Sequence, residues 1–154
     1  MIKSVASVGD KTFRRVLFAA LLIADRAAKF LVELYLPESS VRESARFLSL
    51  SVHYNRGISF SLLENYPAAG LIASISGAAA LGFACFKDAR LRSTFGVLFL
   101  WAGAIGNLID RLLYGYVIDW LYVGIYVNFA DIWLCMGCVM IFSHYVFFDN
   151  ERNR

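Results

Sequence analysis

Three stretches of this chain carry almost no charge, and each is near the length that crosses a lipid bilayer. Residues 68–86 and 93–109 contain no charged side chain, and in residues 132–148 only His144 can gain charge near neutral pH. A helix of about 20 apolar residues spans a hydrocarbon core of about 30 Å. With 59% hydrophobic and 18% charged residues, the chain is predicted to be a helical membrane protein.

A fourth apolar segment, residues 16–36, is interrupted by charges. The alternative is a cleaved secretory signal, because two arginines precede the short apolar run 16–24. However, Asp25 and Arg26 stand where small residues should prepare cleavage, and the apolar pattern resumes after them. We therefore expect a single domain with four spans, at about 16–36, 67–86, 93–112 and 128–148.

The basic residues predict which side each connection occupies. Lysine and arginine are concentrated before the first span, between the second and third, and after the fourth, at Lys3, Lys11, Arg14, Arg15, Lys87, Arg90, Arg92, Arg152 and Arg154. Such regions face the cytoplasm, so both termini are expected there. Segment 37–67 balances three arginines with three glutamates and should face outward, beside residues 112–127. The net charge of +3 then reflects topology and anionic lipid rather than nucleic acid.

Polar residues inside the spans need a partner or a function, because a charge at the bilayer centre costs at least about 2.5–3.5 kcal/mol. Asp25 and Lys29 are four residues apart, which predicts a structural ion pair on one helical face. In the third span, Gly103, Asn107 and Asp110 recur at helical spacing, followed by Arg111. A polar helix end at the interface would explain Arg111 but not the deeper Asn107.

Two further acids, Asp119 and Asp131, are predicted on the outer side of the membrane. If they lie close together, one should hold a proton and the other a charge. The charged acid can then activate water, and the protonated acid can donate to a peptide carbonyl, without metal or cofactor. Spacing alone equally permits Asp119 as an exposed loop acid and Asp131, with Asn128, as a helix cap.

Residues 47–61 predict a strand, broken near Asn55. The fold expected is therefore an all-α membrane protein of four transmembrane helices, with a small extracytoplasmic β-like cradle between the first and second. Cys135 and Cys138 have the spacing of a metal motif, but no second ligand pair accompanies them. We interpret them as packing residues, and we expect no metal site.

These segments together resemble the lipoprotein signal peptidase (signal peptidase II) family, in order and over most of the chain. The matching motifs are Asp25-Arg-Ala-Ala-Lys29, Asn55-Arg-Gly-Ile-Ser-Phe60, Gly103-Ala-Ile-Gly-Asn107-Leu-Ile-Asp110-Arg111, Gly115-Tyr-Val-Ile-Asp119 and Asn128-Phe-Ala130-Asp131. Each motif alone is weak, but five in this order are specific.

The resemblance implies a bacterial inner-membrane aspartic endopeptidase with its active site at the outer face. Asp119 and Asp131 would be the catalytic pair, and Asp25 and Lys29 would hold the first helix in place. The residues expected to shape the site and contact substrate are Asn55, Gly103, Asn107, Asp110, Arg111, Asn128 and Ala130. The substrate would be a prolipoprotein cut before its diacylglyceryl-modified Cys, the other partner would be membrane lipid, and a monomer would suffice.

Several positions depart from the family pattern. Arg26 and Ala28 stand where the family usually has Gln and Thr, the stretch between the two catalytic acids is shorter than usual, and Ile132-Trp133 replaces small residues. A non-catalytic relative that binds lipidated peptides or acts as a membrane scaffold is therefore the alternative. A small transporter or channel is a weaker one, since the polar residues concentrate toward one interface.

Overall fold

The computed structural model of the chain describes residues 2–36, 48–58 and 66–148. Its elements in chain order are α1 (Ile2–Tyr35), β1 (Ser49–Asn55), α2 (Pro67–Lys87), α3 (Ala89–Ser93), α4 (Phe95–Leu113), β2 (Val117–Tyr122), β3 (Tyr126–Val127) and α5 (Phe129–Ser143). A π-helical turn, His144–Phe148, continues α5.

Three of the described helices are long and apolar enough to cross a membrane. They are Ala68–Lys87, Phe95–Leu113 and Phe129–Phe147, which confirms the three spans predicted from the uncharged runs. Helix α1 is not among them, because its apolar segment carries four charged residues. Its crossing of the membrane therefore stays a prediction.

Helix α1 has an apolar outer face and a polar inner one. Ile23, Phe30 and Leu34 are at least 60% exposed, whereas Asp25 and Lys29 are at most 1% exposed. This arrangement is the reverse of a soluble amphipathic helix, and it suits lipid on the outside and polar partners within the bundle.

Helix α4 is the centre of the bundle and contacts α1, α2 and α5. Its buried face consists largely of small residues, with Asn107 and Asp110 near its end. At Gly96, an added Cβ would lie 2.8 Å from the carbonyl oxygen of Gly137, and one at Gly137 would lie 2.7 Å from that of Gly96. The absence of side chains therefore permits the close approach of α4 and α5, as is usual between membrane helices.

The sheet is antiparallel with strand order β1-β2-β3. His53 lies opposite Asp119 and Asn55 opposite Val117, after a bulge between Leu50 and His53. The predicted strand is confirmed as Ser49–Asn55, and its predicted part beyond Ile58 lies outside the described residues.

The expectation of an all-α protein with a cradle between the first two helices was incomplete. Strands β2 and β3 come from between α4 and α5, a segment rich in the β-branched and aromatic residues that favour strands. Gly115 turns the chain from α4 into β2 at a φ of +80°, a conformation that suits glycine. This turn brings β2 back across the end of α4.

We predict that the substitution Gly137→Ala destabilises the protein, because the added methyl would force α4 and α5 apart. Overpacking of this kind costs about 1–3 kcal/mol. The matched control is Gly77→Ala, also in a helix but with nothing within 4 Å of the added Cβ, where better helix propensity should raise stability by up to about 1 kcal/mol. Thermal unfolding in detergent checks both, and equal effects would contradict the close-packing interpretation.

Candidate active site

The two acids predicted to work together meet at one cavity. Asp119 lies in the middle of β2, and Asp131 lies in the first turn of α5. Both line a cavity of about 740 Å³ between α2, α4, α5 and the sheet. Asp119 is 1% exposed, so the alternative of an exposed loop acid was wrong.

Asn128 connects the two acids. Its side-chain Nδ2 donates to Asp119 Oδ1 at 2.5 Å, and its backbone N–H donates to Asp131 Oδ2 at 3.1 Å. Its Oδ1 accepts the backbone N–H of Asp131 at 3.0 Å. This is a capping box at the start of α5. The helix-cap interpretation of Asp131 is therefore correct, and the same cap holds Asp131 beside Asp119.

Each acid has a second amide donor from another element. Asn55, at the end of β1, donates from Nδ2 to Asp119 Oδ2 at 3.1 Å. Asn107, on α4, donates from Nδ2 to Asp131 Oδ1 at 2.8 Å. Asn107 Oδ1 also accepts from Asn128 Nδ2 at 3.2 Å. The orientation of both carboxyl groups is thus fixed by three asparagines from three parts of the chain.

A cluster of four charged side chains lies behind the acid pair. Lys29 Nζ lies 2.9 Å from Asp25 Oδ2 and 2.7 Å from Asp110 Oδ2, which confirms the predicted contact between Asp25 and Lys29. Arg26 Nη2 contacts Asp110 Oδ1. We call Asp25, Arg26, Lys29 and Asp110 the charge cluster.

The charge cluster is hydrogen-bonded to the site at two points. Lys29 Nζ donates to Asn107 Oδ1 at 3.1 Å, and Asp25 Oδ1 accepts the backbone N–H of Ala130 at 3.0 Å. Ala130 is fully buried. The charges of α1 thereby fix both the amide that binds Asp131 and the first turn of α5.

Gly103 and Arg111 lie at the two sides of the site on α4. A Cβ at Gly103 would collide with the carbonyl oxygen of Ala130 and with Leu134, so this glycine permits α5 to approach. Arg111 lines the cavity, and its Nη2 donates to the carbonyl oxygen of Gly57 at 2.9 Å. Gly57 N–H in turn donates to Asn55 Oδ1 at 3.0 Å, which fixes the amide that binds Asp119.

The environment of Asp119 changes its acidity. Burial, followed by the nearby Asp131 carboxylate, raises the pKa of Asp119 from its usual 3.8 to about 7, although hydrogen bonds from Asn55 and Asn128 oppose the shift. A proton is therefore held at the site near neutral pH, as expected for two carboxyl groups sharing a buried position.

The residues predicted to be catalytic, to support the site or to pair within α1 lie at or directly behind this cavity. The last two residues of the Asn55–Phe60 motif lie outside the described residues. Sequence reasoning missed the part of Arg26 in the charge cluster, because only the folded chain brings α1 against Asp110. The strand character of β2 was also missed, although Val117, Ile118 and Tyr122 gave a signal for it.

The cysteines lie outside any cluster of potential metal ligands in the described part of the chain. Within residues 2–36, 48–58 and 66–148, no group of three or more His, Cys, Asp and Glu side chains is placed to hold a metal ion. Cys85 is buried, but Cys135 and Cys138 are exposed. The interpretation of the latter two as packing residues was therefore wrong, because both side chains are exposed and Cys135 lines the cavity.

The fold is that of known bacterial membrane enzymes. One such enzyme, solved by the in meso method at 2.3 Å resolution, matches with a TM-score of 0.73 and 24% identity over 93% of this chain and 92% of that one. A second, solved by the same method at 1.9 Å, matches with a TM-score of 0.69 and 25% identity over 88% and 94% of the two chains. The molecule thus belongs structurally with membrane enzymes that share this helical architecture.

Sequence comparison identifies the family. The Signal peptidase (SPase) II family model matches residues 17–147. The lipoprotein signal peptidase of Fusobacterium nucleatum is 34% identical over 97% of this chain and 95% of its own length, and that of Mesorhizobium japonicum is 31% identical over 81% and 80%. The chain belongs to the signal peptidase II family and is a membrane peptidase.

The raised pKa of Asp119 predicts how stability depends on pH. In the folded protein the Asp119 carboxyl keeps its proton up to about pH 7, whereas in the unfolded chain the same carboxyl loses its proton near pH 3.8. The resulting stabilisation is complete below pH 3.8 and is lost as the pH rises to about 7. We expect Asp119→Asn to remove this dependence, because the amide does not titrate in this range.

Thermal unfolding in detergent at pH 5 and pH 8 measures this effect. Asp10→Asn is the matched control, because Asp10 is exposed on α1 and its loss should leave the wild-type difference between the two pH values. An Asp119→Asn protein that keeps that difference would contradict the assignment.

Proposed function

We propose that this protein is an aspartic endopeptidase that removes the signal peptide from diacylglyceryl-modified prolipoproteins, cutting on the N-terminal side of the lipidated Cys. The observation that carries the proposal is the pair Asp119 and Asp131, buried together on the wall of one cavity and each hydrogen-bonded to asparagine amides. The names of the relatives support the substrate class.

The chemistry follows from one proton shared by two carboxyl groups. The ionised acid takes a proton from water as the water attacks the scissile carbonyl, and the protonated acid donates to the carbonyl oxygen. The asparagines hold the carboxyl groups in position before substrate arrives, so little reorganisation is needed at the moment of reaction. All of these groups come from one chain, so a monomer, folded as a single domain, would suffice.

Substrate would be held by the polar groups around the acid pair and by the apolar residues that line the rest of the cavity. Arg111 lines the cavity and carries a guanidinium group there. We assign it to a carbonyl of the substrate. Leu81, Leu100 and Leu134 line the same cavity and provide an apolar surface for the acyl chains. Lipid anchoring would deliver the scissile bond at a fixed depth and lower the orientational cost of binding.

The contacts of α1 support its assignment as the fourth transmembrane helix. Near the start of α4, Arg14 of α1 donates to the carbonyl oxygens of Ser93 and Thr94 at 2.9 and 3.1 Å. Near the other end, Lys29 contacts Asp110 close to where α4 ends. Residues 14–29 of α1 therefore run parallel to α4 along almost the whole length of α4, and a neighbour of that extent would cross the bilayer with it.

The basic residues then orient the molecule in the bacterial inner membrane. Both termini and the α2–α4 connection would be cytoplasmic. The sheet and the acid pair would lie at the outer face.

Reporter fusions to either terminus should be active only as cytoplasmic reporters, and a periplasmic reporter inserted after Gly124 should be active. Opposite locations of the two termini would exclude four spans.

We predict that Asp119→Asn and Asp131→Asn each reduce cleavage by about 10²–10⁴-fold, because each removes one proton-transfer group. The assay measures cleavage of a diacylglyceryl-modified prolipoprotein in liposomes by gel shift. Asp10→Asn serves as the control and should cleave like wild type.

The outcome also distinguishes the alternative function. Retained cleavage in the Asp119→Asn, Asp131→Asn double variant would exclude the pair as the catalytic centre. A folded wild-type protein that binds the lipidated substrate without cutting it would instead establish a non-catalytic relative that binds lipidated peptides.

A further inference from the structure

The charge cluster behind the site is neutral only because it contains Arg26. Asp25 and Asp110 are fully buried and Lys29 is 1% exposed, so these three side chains alone would carry a net charge of −1. Arg26, whose side chain is 28% exposed, contacts Asp110 and lies 3.7 Å from Asp25. Two acids are thus balanced by two bases in a region where an unbalanced charge is costly.

The cluster affects the acid pair through Lys29. The ammonium group of Lys29 is shared among Asp25, Asp110 and the Oδ1 atom of Asn107. Asn107 donates from its other side-chain atom to Asp131. If Arg26 no longer contacted Asp110, the two acids of the cluster would attract Lys29 more strongly, away from Asn107.

We propose that Arg26 is a positioning residue for the reaction: by neutralising Asp110 it keeps Lys29 on Asn107 and sets the pH range in which the acid pair holds one proton. This inference rests on the proposed function. Arg26 itself does not line the cavity, and among the described residues its ion pairs are with Asp25 and Asp110 rather than with Asp119 or Asp131.

Other charged groups facing the pair are few among the described residues. Helix α4 contributes Asp110 and Arg111, and the residues of α2 that line the cavity are uncharged. On the sheet, His53 lies opposite Asp119 in register and stacks on Tyr126 at 4.6 Å. Lys29 and Arg111 are therefore the positive charges that act on the pair directly, and Arg26 acts on it through Lys29.

The test compares the pH profile of kcat/KM for prolipoprotein cleavage in wild type, Arg26→Gln and Arg26→Lys. Loss of positive charge favours the protonated form of both acids, so both limbs of the Arg26→Gln profile should move to higher pH by about one unit. Arg26→Lys keeps the charge and should keep the wild-type position. A purely structural role would lower the profile without moving it.

Arg14→Gln is the matched control. Arg14 lies on the same helix and makes comparable interhelical contacts at the other end of α4. Its loss should reduce thermal stability and leave the profile in place. An Arg14→Gln profile that moves as far as that of Arg26→Gln would overturn the inference.

The double variant Arg26→Gln, Asp110→Asn restores neutrality and tests the mechanism if Arg26→Gln does not fold. Its profile should return to the wild-type position, whatever its height. A profile that stays shifted in the double variant, or an unshifted Arg26→Gln profile, would overturn the inference while leaving the proposed function intact. A wild-type protein that cleaves at no pH would remove the proposed function and this inference together.

Discussion

Polar groups inside this helix bundle must find partners within the protein, because the surrounding lipid offers none. That constraint produces one connected network. It runs from Arg26, Asp110 and Lys29 through Asn107 to Asp131, and through Asn128 to Asp119. Since each member satisfies its neighbour, the network orients two carboxyl groups that would otherwise repel each other, and the same bonds join α1, α4, α5 and the sheet.

Close approach of the helices is the second requirement, and glycine supplies it. Contacts at Gly96 and Gly103 let α5 lie directly on α4. The backbone N–H of Ala130, in the first turn of α5, can then reach Asp25 of α1. The tight helix packing and the polar network therefore depend on each other. A bundle with larger side chains at these positions would separate Asp131 from the groups that orient it.

Much of this arrangement could be predicted from the sequence, but only where the pattern is local. Uncharged runs predicted three spans, the four-residue spacing predicted the contact of Asp25 with Lys29, and the residues of β1 predicted a strand. Long-range pairings could not be obtained in this way. The contact of Arg26 with Asp110, the pairing of β1 with β2, and the meeting of Asp119 with Asp131 depend on how distant segments pack, and single-sequence periodicity carries no information about that.

We infer that Asp119 and Asp131 share one proton up to about pH 7. Infrared spectroscopy of the protein with isotope-labelled aspartate, recorded from pH 5 to pH 9, measures this proton directly. We expect a protonated carboxyl band that is lost near pH 7 in wild type and is absent from Asp119→Asn. A spectrum without such a band between pH 5 and pH 7, or a band that survives unchanged in Asp119→Asn, would contradict it.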